Sequence, residues 1–416
     1  MKIVVLGAGL IGVSTAYHLL RGGHEVVVID RQPEAGLETS FANGGQVSAS
    51  HATPWANPQT PLKLLSWLGR KDAPLAFGFS FDPALWEFLF RFLWNCRAGR
   101  SQDNAAKVVS LALYSRQLLH EIRSETGIEF DAQDRGILHI YRSEREMERA
   151  VETAERFRRL GMELEDLNAG ACIDLEPALE SQAGKLAGGI YSPGDLSGDA
   201  HVFTQRLARY CAEHGVTFDM ENTVSRLAHM GDRITGVMTS RGLVTGDCYV
   251  MALASYSPLM LRPLGIRVPI YPAKGYSATV PVTNTNRAPV VSITDDDRKI
   301  VLSRLGDKLR IAGTAEFDRY NDEIDEVRAG SVLDGGAALF PGALDLPKAE
   351  FWAGLRPLTP DGVPVIGSTR YSNLVLNTGH GTLGWTLACA SGRIGADLAT
   401  GAKPEHDIAG LGADRF

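Results

Sequence analysis

Cysteine is scarce in this chain of 416 residues, and the few cysteines present have no functional spacing. They are odd in number and far apart, with no CxxC pair and no zinc-site spacing. We therefore expect no metal centre, and a reduced, cytosolic compartment fits this usage best. The five positions are Cys96, Cys172, Cys211, Cys248 and Cys389.

Excess positive charge and long apolar runs are also missing. The formal net charge is -7, which argues against nucleic acid as a partner because phosphate recognition needs basic patches. No run of about 18 apolar residues occurs, so we expect no helix that spans a membrane. No signal peptide is expected, because a buried strand is predicted from residue 2 onward and cleavage would remove it.

What is present is the composition of a soluble globular protein, with 44% hydrophobic and 22% charged residues. The length suggests two or three domains. Residues 61–165 have mainly helical patterns, whereas residues 266–320 alternate apolar and polar side chains and predict an antiparallel sheet.

A glycine-rich motif lies between two apolar runs in the stretch VVLGAGLIGVSTAYHLLRGGHEVVVID. Lys2–Leu6 has the pattern of a buried parallel strand, and a helix is expected from about Leu10 to Leu20. Gly7 permits a tight turn, Gly9 lets the backbone approach a pyrophosphate, and Gly12 lets the helix pack on the strand.

The acidic residue that ends this stretch completes the pattern of a dinucleotide site. Asp30 follows the second predicted strand, Glu25–Ile29, and stands where a carboxylate accepts hydrogen bonds from a ribose. NAD and FAD both carry an adenosine ribose, so the stretch fits either. No second motif of this kind is present, which weakly favours a flavin reduced directly by its substrate.

A second informative stretch, NTGHGTLGWTLACASGRIGADLAT, predicts a strand, a loop and a helix near the end of the chain. Gly379 and Gly381 bracket His380, and Thr382 is placed to cap the helix Leu383–Ala399. A helix N-terminus favours an anionic partner. A reduced flavin, which is anionic at N1 and C2=O, is such a partner, although an ordinary strand-loop-helix unit is the alternative.

Seven segments in order make the whole chain resemble the FAD-dependent amine and amino-acid oxidoreductases related to D-amino acid oxidase and glycine oxidase. Within them it is most similar to the bacterial D-amino acid dehydrogenase small subunits. The resemblance implies FAD, oxidation of a D-amino acid to its imino acid, and electrons passed to a quinone or another respiratory acceptor rather than to oxygen. The segments are VVLGAGLIGVSTAYHL, ETSFANGGQVS, TPWANP, YVMALASYS, YPAKGYS, GLRPLTPDGVPVIG and NTGHGTLGWTLACASG.

The resemblance also implies which positions hold the cofactor. The ADP half is assigned to the first glycine motif and its acid, the pyrophosphate and ring side to the loop before residue 47, and the pyrimidine end of the flavin to residues 379–383. The assigned positions are Gly7, Gly9, Leu10, Ile11, Gly12, Asp30, Arg31, Thr39, Ser40, Asn43, Gly44, Gly45, Gln46, Val224, Ala254, Gly354, Gly379, Gly381, Thr382 and Leu383.

The substrate positions follow from the same resemblance. Arg356, in GLRP, matches an arginine that binds the substrate carboxylate, and Tyr276, in KGYS, lies near a tyrosine of the substrate pocket. These two are the expected catalytic residues. His51, Arg304 and His380 are further substrate-contact candidates, although each also has an ordinary structural interpretation.

Two residues of the expected site differ from the family pattern, and the role of general base is left unassigned. Ala254 stands where the family pattern prefers glycine beside the cofactor, and His51 stands where tyrosine or another residue is expected. Arg310 lies on a predicted strand and is more typical of a solvated position. No general base is assigned, because the substrate amine can lose its proton on binding.

One helix is unusually apolar. In ALWEFLFRFLWNC, Ala84–Cys96, the polar residues Glu87, Arg91 and Asn95 recur every four positions and fall on one stripe. Such a helix either packs in the core of the substrate domain or presents a surface to a membrane or quinone. Trp67, Leu68 and Phe77–Phe81 lie nearby in sequence and would extend such a surface.

The sequence therefore predicts an α/β fold with a discontinuous Rossmann-type FAD-binding domain and an α+β substrate domain with an antiparallel sheet. The expected function is oxidative deamination of D-amino acids. The alternatives are a D-hydroxyproline or proline dehydrogenase, a glycine or sarcosine oxidase, and a non-catalytic flavoprotein subunit. The expected location is the cytoplasm, with the inner face of the cell membrane as an alternative. The FAD domain is expected in residues 1–55, 170–255 and 340–416, and the substrate domain in residues 56–169 and 256–339.

Overall fold

A computed structural model describes residues 1–62, 75–77 and 81–416, with the backbone alone for 75–77. The predicted α/β class is confirmed, since parallel strands alternate with helices and a second, mainly antiparallel sheet lies beside them. Trp67 and Leu68, which the sequence placed near the apolar helix, lie outside the described residues.

The first sheet, called the parallel sheet below, has six strands. Its neighbours run parallel except for the last pair, Val365–Ser368 with Leu374–Thr378. The central strands Lys2–Leu6 and Cys248–Met251 are mostly apolar because helices cover one face of the sheet and a small β-sheet covers part of the other. In spatial order they are Val365–Ser368, Leu374–Thr378, Cys248–Met251, Lys2–Leu6, Glu25–Ile29 and Thr217–Asp219.

The second sheet, called the large sheet, has nine strands and is antiparallel over most of its width. Two pairs in it are parallel, Ser292–Asp295 with Ile137–Tyr141 and Lys308–Phe317 with Leu75–Phe77. The ninth strand, Leu75–Phe77, pairs with Lys308–Phe317 and lies outside the main order. The other eight lie side by side in the order Glu350–Leu358, Tyr271–Pro281, Lys308–Phe317, Ile300–Leu305, Ser292–Asp295, Ile137–Tyr141, Gly188–Ser192 and Glu165–Asn168.

Two smaller sheets complete the β structure among the described residues. A three-stranded sheet packs on the parallel sheet, and a two-stranded ribbon follows the cofactor loop. Their strands are Val224–Met230, Arg233–Thr239 and Gly242–Val244, and Gln46–Val47 with Leu196–Ser197.

The helices surround both sheets. The N-terminal helix Leu10–Arg21 packs against Gly384–Thr400, and both cover the parallel sheet together with Ala98–Thr126 and Ala200–Glu213. The α-helices of the described residues are Leu10–Arg21, Pro83–Asn95, Ala98–Thr126, Glu144–Arg159, Ala169–Leu175, Ala200–Glu213, Ser257–Leu261, Glu326–Leu339 and Gly384–Thr400. The 3-10 segments are Ala49–His51, Pro177–Lys185, Ala254–Tyr256, Arg262–Leu264, Leu346–Lys348 and Ala413–Arg415.

The division into two domains stays a prediction. Strands Gly188–Ser192 and Glu350–Leu358 belong to the large sheet, although the sequence assigned both segments to the FAD domain. The chain therefore crosses between the two sheets more often than the predicted boundaries require.

The apolar helix, Pro83–Asn95, has two different faces. Leu85, Phe88 and Phe92 are buried against the large sheet. The opposite side carries an exposed apolar face, which we define as Trp86, Phe90, Leu93 and Trp94. The helix is thus neither wholly core nor wholly surface. Among the described helices, none combines the length and apolar character that crossing a bilayer requires.

Candidate active site

A cavity of about 1150 Å³ lies between the carboxyl ends of the parallel strands and one face of the large sheet. The edge of the parallel sheet contributes residues that follow three of its strands, such as Gly7, Asp30 and Ala252. Ligands of open α/β sheets bind at this edge because the loops and helix N-termini converge there. The volume exceeds that of most small-molecule pockets and leaves room for a dinucleotide beside a small substrate.

The first glycine motif forms the floor of the cavity as the sequence predicts. Gly7 adopts φ 109°, and a Cβ atom on Gly12 would lie 1.8 Å from the carbonyl oxygen of Gly7. Neither position therefore tolerates a side chain. Helix Leu10–Arg21 begins after Gly9 without a side-chain cap, although Ser40 accepts the Leu10 N–H at 3.2 Å. Its remaining N–H groups are available to an anionic ligand.

Asp30 lines the same part of the cavity. Its carboxylate accepts hydrogen bonds from the Ala8 N–H at 2.6 Å and the Gln32 N–H at 2.8 Å. Burial raises the pKa of this carboxyl despite those two bonds. Hydroxyl donors of a bound ribose would restore hydrogen bonding lost on burial, so the geometry suits the predicted role.

The second helix end differs from the prediction in one detail. The helix begins at Gly384, and its cap position is Leu383, with no side-chain hydrogen bond. The prediction that Thr382 caps it is wrong, because Gly379 and Gly381 adopt φ 74° and 56° and carry the loop one residue further. The uncapped N–H groups at the cavity wall are therefore left for a ligand.

His380 lines this loop but is held inside the protein. Its Nε2 lies 2.9 Å from the Ser391 hydroxyl, and burial lowers its pKa to about 3. Its ring is therefore neutral near pH 7, and its geometry is that of a structural residue rather than a substrate contact.

The loop Thr39–Gln46 connects the two sheets. Thr39 donates to the Leu355 carbonyl at 3.0 Å, and Gln46 donates to Ser292 at 2.9 Å. Gly45 adopts φ 70° and donates to Asn43 at 2.9 Å. These bonds tie the cofactor loop to two strands of the large sheet.

The remaining cofactor positions also lie at the cavity, apart from Gly12 and Gly379, which are buried beneath its wall. Ala254 adopts φ 45°, a left-handed conformation that explains why the family pattern prefers glycine there. Arg31 lies over the Tyr256 ring at 4.2 Å. The positions that line the cavity are Gly7, Gly9, Leu10, Ile11, Asp30, Arg31, Thr39, Ser40, Asn43, Gly44, Gly45, Gln46, Val224, Ala254, Gly354, Gly381, Thr382 and Leu383.

Arg356, the expected carboxylate contact, lines the cavity. Its Nη1 donates to the Thr314 carbonyl at 2.7 Å, and among the described residues no carboxylate lies within 4 Å of it. Burial lowers the pKa of this guanidinium to about 10, so it stays charged near pH 7. A partly desolvated cation with most of its donors free at a cavity wall is a site for a carboxylate.

Tyr276 borders the cavity, but its side chain is buried in the core of the large sheet. Its hydroxyl donates to Glu316 at 2.7 Å, and its side chain belongs to the core beneath helix Glu326–Leu339. The reason is strand alternation: Gly275 faces the cavity, so the next side chain points to the opposite side of the sheet. The expected catalytic contact of Tyr276 is therefore corrected to a structural one.

Arg304 is also placed outside the cavity. Its Nε donates to the Gly306 carbonyl within a hairpin turn at 3.0 Å. Arg310 is buried and donates to the Asn43 carbonyl and the Thr279 hydroxyl. Both therefore have structural contacts, and of these three arginines Arg356 is the one that lines the cavity.

Several polar side chains that were not predicted from the sequence lie around His51. We define the polar cluster as His51, His139, Tyr141, Asp296 and Lys299, all of which line the cavity. They come from a 3-10 segment, a strand and a hairpin turn that are far apart in sequence. The alternation of His139 and Tyr141 along one strand was the available signal, but without the strand pairing it identified no site.

FAD fits the residues at the dinucleotide end. Two uncapped helix N-termini and a buried carboxylate with spare acceptor capacity line one cavity, and Gly7 and Gly12 admit no Cβ atom at the first of these helices. The first helix N-terminus suits a pyrophosphate, the carboxylate suits a ribose, and the second helix N-terminus suits the pyrimidine edge of a flavin.

Comparison with known proteins agrees with this geometry. The FAD dependent oxidoreductase family (DAO) matches residues 2–398. The D-amino acid dehydrogenase of Paramagnetospirillum magneticum is 53% identical over 100% of this chain and 99% of its own length. The D-amino acid dehydrogenase of Dechloromonas aromatica is 49% identical over 98% of this chain and 99% of its own length.

Solved structures share the fold at much lower identity. Glycine oxidase from Geobacillus kaustophilus superposes with a TM-score of 0.79 at 21% identity, covering 100% of this chain and 99% of that one. L-proline dehydrogenase from P. horikoshii superposes with a TM-score of 0.77 at 19% identity, covering 100% and 97%. At these identities the likeness concerns the fold alone.

Proposed function

Since the chain belongs to the FAD dependent oxidoreductase family, we propose that it oxidises D-amino acids to imino acids, which water then converts to 2-oxo acids and ammonia. FAD is the cofactor of this family. When bound, it supplies the redox chemistry by accepting the hydride that leaves the substrate Cα. The D-amino acid substrate is inferred from relatives that are about half identical over their full length.

Arg356 is the observation that carries the proposal. A non-catalytic flavoprotein subunit has no need of an unpaired guanidinium in a cavity wall, because an uncompensated buried charge destabilises the fold. A substrate carboxylate would supply the missing countercharge. The planar guanidinium also fixes the orientation of a bound amino acid by making two parallel hydrogen bonds.

The protein residues then position the substrate. Arg356 would hold the carboxylate, and Gly275, over which the guanidinium lies, lets that group lie flat against the sheet. Orientation of this kind contributes several kcal/mol to catalysis, because the reacting atoms no longer have to find each other by collision.

Anaerobic reduction tests the substrate class. The purified protein is mixed without oxygen with D-alanine, L-alanine, L-proline and sarcosine in turn, and the loss of flavin absorbance is recorded. D-Alanine should bleach the flavin, whereas L-alanine should not. Faster bleaching by L-proline or sarcosine would retain the family but replace the substrate.

We further propose that a membrane quinone accepts the electrons and that the apolar face of helix Pro83–Asn95 meets the membrane surface. Trp86 and Trp94 are 53% and 50% exposed, and Arg97 and Arg100 lie over the Trp94 ring at 3.6 and 5.5 Å. Tryptophan favours the lipid–water interface, and arginine is attracted to anionic headgroups. On this proposal the protein works at the inner face of the cell membrane, with the cytoplasm as its compartment.

Two measurements test the acceptor and the surface. Turnover with a soluble quinone should exceed turnover with oxygen by at least about tenfold; comparable peroxide formation would reject the quinone. The double variant Trp86→Glu/Phe90→Glu should lose flotation with anionic phospholipid vesicles. Val327→Glu, an exposed apolar position on another helix, should float like the unaltered protein.

A further inference from the structure

The polar cluster is a second feature of the cavity that Arg356 lines, and the proposed function assigns it no role. Arg356 binds to Thr314, which follows Gly313, and Gly313 pairs with Ile300 on the neighbouring strand. Lys299 and Asp296 lie in the turn just before that strand. The strand that the Arg356 guanidinium contacts therefore neighbours the turn of Asp296 and Lys299, and Arg356 and the polar cluster line the same cavity.

Hydrogen bonds define which atoms of the cluster carry protons. We assign the proton of the Ser50 hydroxyl to Asp195, 2.6 Å away, so that its oxygen accepts from Nε2 of His139 at 2.8 Å. The other ring nitrogen, Nδ1, faces the carboxylate of Asp296 at 3.6 Å. In a neutral ring this leaves a nitrogen lone pair and a carboxylate facing each other, an arrangement that one added proton would stabilise.

The groups around this pair come from each element packed against it. Lys299 lies 2.9 Å from Asp296, and the Tyr141 hydroxyl hydrogen-bonds to the same carboxylate. Burial alone would raise the pKa of Asp296, but Lys299 and the two histidines hold it well below its ordinary value. On the far side, Glu146 and Asp297 approach Tyr141.

His51 belongs to the polar cluster but is not the proton acceptor. Its ring stacks on His139 with centroids 5.4 Å apart and planes 11° from parallel. Burial lowers the pKa of His51 to about 4, so this ring stays neutral near pH 7 and binds a proton weakly. The acceptor is instead sought at His139, whose Nδ1 faces the Asp296 carboxylate.

The donor atoms of His51, His139 and Asp296 lie within 4.8 Å of one another, a spacing that a metal ion could also bridge. The ammonium group of Lys299 already provides the positive charge beside Asp296. A divalent cation would have to compete with that charge at short range, which argues for a proton rather than a metal at this place.

Amino-acid oxidation requires such an acceptor. Free amino acids carry an ammonium group near neutral pH, and its nitrogen has no lone pair to form the C=N bond as hydride leaves Cα. We propose that the pair His139–Asp296 accepts one proton from the substrate ammonium group, making the amine ready for oxidation. The N–H bond breaks, its electron pair stays on nitrogen, and the proton bonds to Nδ1 of His139 against Asp296.

A route out of the cavity is also present. The proton on Nε2 of His139 points to Ser50, and Ser50 contacts Asp195, which is fully buried and paired with Arg116 at 3.2 Å. The Arg116 side chain is 23% exposed, so this chain of contacts leads towards solvent. Ser50 and Asp195 are positioning residues here, since they act through His139.

The dependence of flavin reduction on pH tests this inference, which rests on the proposed function. With saturating D-alanine, the unaltered enzyme should change its reduction rate by less than about threefold between pH 6.5 and 9.5. In Asp296→Asn and His139→Gln, only substrate that is already deprotonated reacts. Their rates should rise about tenfold for each pH unit and approach the unaltered rate at the alkaline end.

Three controls separate this role from a structural one. Asp297→Asn removes a neighbouring carboxylate that pairs with Arg142, and it should keep the flat profile. Inhibition by propionate, which binds as a carboxylate without an amine, should change by less than about twofold in Asp296→Asn and His139→Gln. Dialysis against EDTA should leave the unaltered rate unchanged.

Failure of the proton-acceptor role and failure of the proposed function give different results. Profiles of Asp296→Asn and His139→Gln that stay parallel to the unaltered enzyme at every pH would overturn the proton-acceptor role, as would loss of activity with EDTA. If D-alanine fails to reduce the unaltered enzyme at any pH, the proposed function itself falls. If it reduces that enzyme normally while both variants stay flat, only the role of the cluster falls.

Discussion

The guanidinium group of Arg356 lies directly over Gly275 on the neighbouring strand. A Cβ atom at Gly275 would lie 2.1 Å from Cζ of Arg356, well inside contact distance. The strand pairing explains this, because Ala273 pairs with Arg356 and Gly275 is the next residue on the same face. Glycine at this position is what allows the arginine to lie flat against the sheet and keep its free donors in the cavity.

Replacing Gly275 should therefore act on substrate binding. Gly275→Ala should displace the guanidinium and raise KM for D-alanine by about tenfold or more, with little change in bound FAD. Steady-state kinetics and the flavin absorbance of the purified variant measure the two effects. Gly330→Ala, on a helix where an added Cβ meets nothing within 4 Å, is the matched control. An unchanged KM in Gly275→Ala would contradict the assigned contact.

Removing the arginine should have a larger effect. Arg356→Ala should retain FAD but lose about a hundredfold or more in kcat/KM for D-alanine, since a charge-assisted bidentate pair is lost. Arg304→Ala removes an arginine that bonds only to its own turn and should stay within about twofold of the unaltered enzyme. Near-normal turnover by Arg356→Ala would reject the carboxylate site.

Tyr276→Phe should affect stability and not binding. The variant loses the hydrogen bond to the Glu316 carboxylate, which should lower the free energy of unfolding by about 2 kcal/mol. Urea unfolding followed by tryptophan fluorescence gives this value. KM for D-alanine should remain unchanged, and a marked rise in KM would restore the substrate contact that the structure argues against.

The buried His380 should make the protein less stable in mild acid. Its pKa is about 3 in the folded protein, below its ordinary value of 6.5, so the unfolded chain binds the proton more readily. Stability is therefore full above pH 6.5 and falls as the pH drops towards the folded value, by about 1.4 kcal/mol per pH unit for this group.

His380→Gln should reduce that slope. The measurement is the free energy of unfolding at several pH values between about 7 and 5, for the unaltered protein and the variant. His120→Gln changes an exposed histidine and should leave the slope unaltered. Equal slopes in all three proteins would show that His380 is not the group responsible.

Sequence alone was sufficient where function depends on local spacing. Gly7, Gly12 and Asp30 are linked by one strand-turn-helix-strand unit, so their joint position follows from residue spacing. The antiparallel sheet was likewise visible as alternation. Thr382 was misplaced because the extent of the preceding loop depends on two left-handed glycines rather than on a capping preference.

Relations that depend on strand pairing could not be obtained in this way. Tyr276 and Gly275 are adjacent in sequence, and only the register with Arg356 decides which of them faces the substrate. The polar cluster brings together His51, His139 and Asp296 from three distant segments. No periodicity links those segments, so the proton acceptor became visible only in three dimensions.

The unpaired guanidinium of Arg356 has a consequence for regulation by end products. A 2-oxo acid keeps the carboxylate of the amino acid from which it is formed, so the same arginine retains the product as well as the substrate. Accumulated 2-oxo acid would then occupy the cavity and slow further oxidation, whereas released ammonia, which has no carboxylate, would not. The enzyme would in this way match the rate of amino-acid breakdown to the rate at which the cell consumes the carbon skeleton.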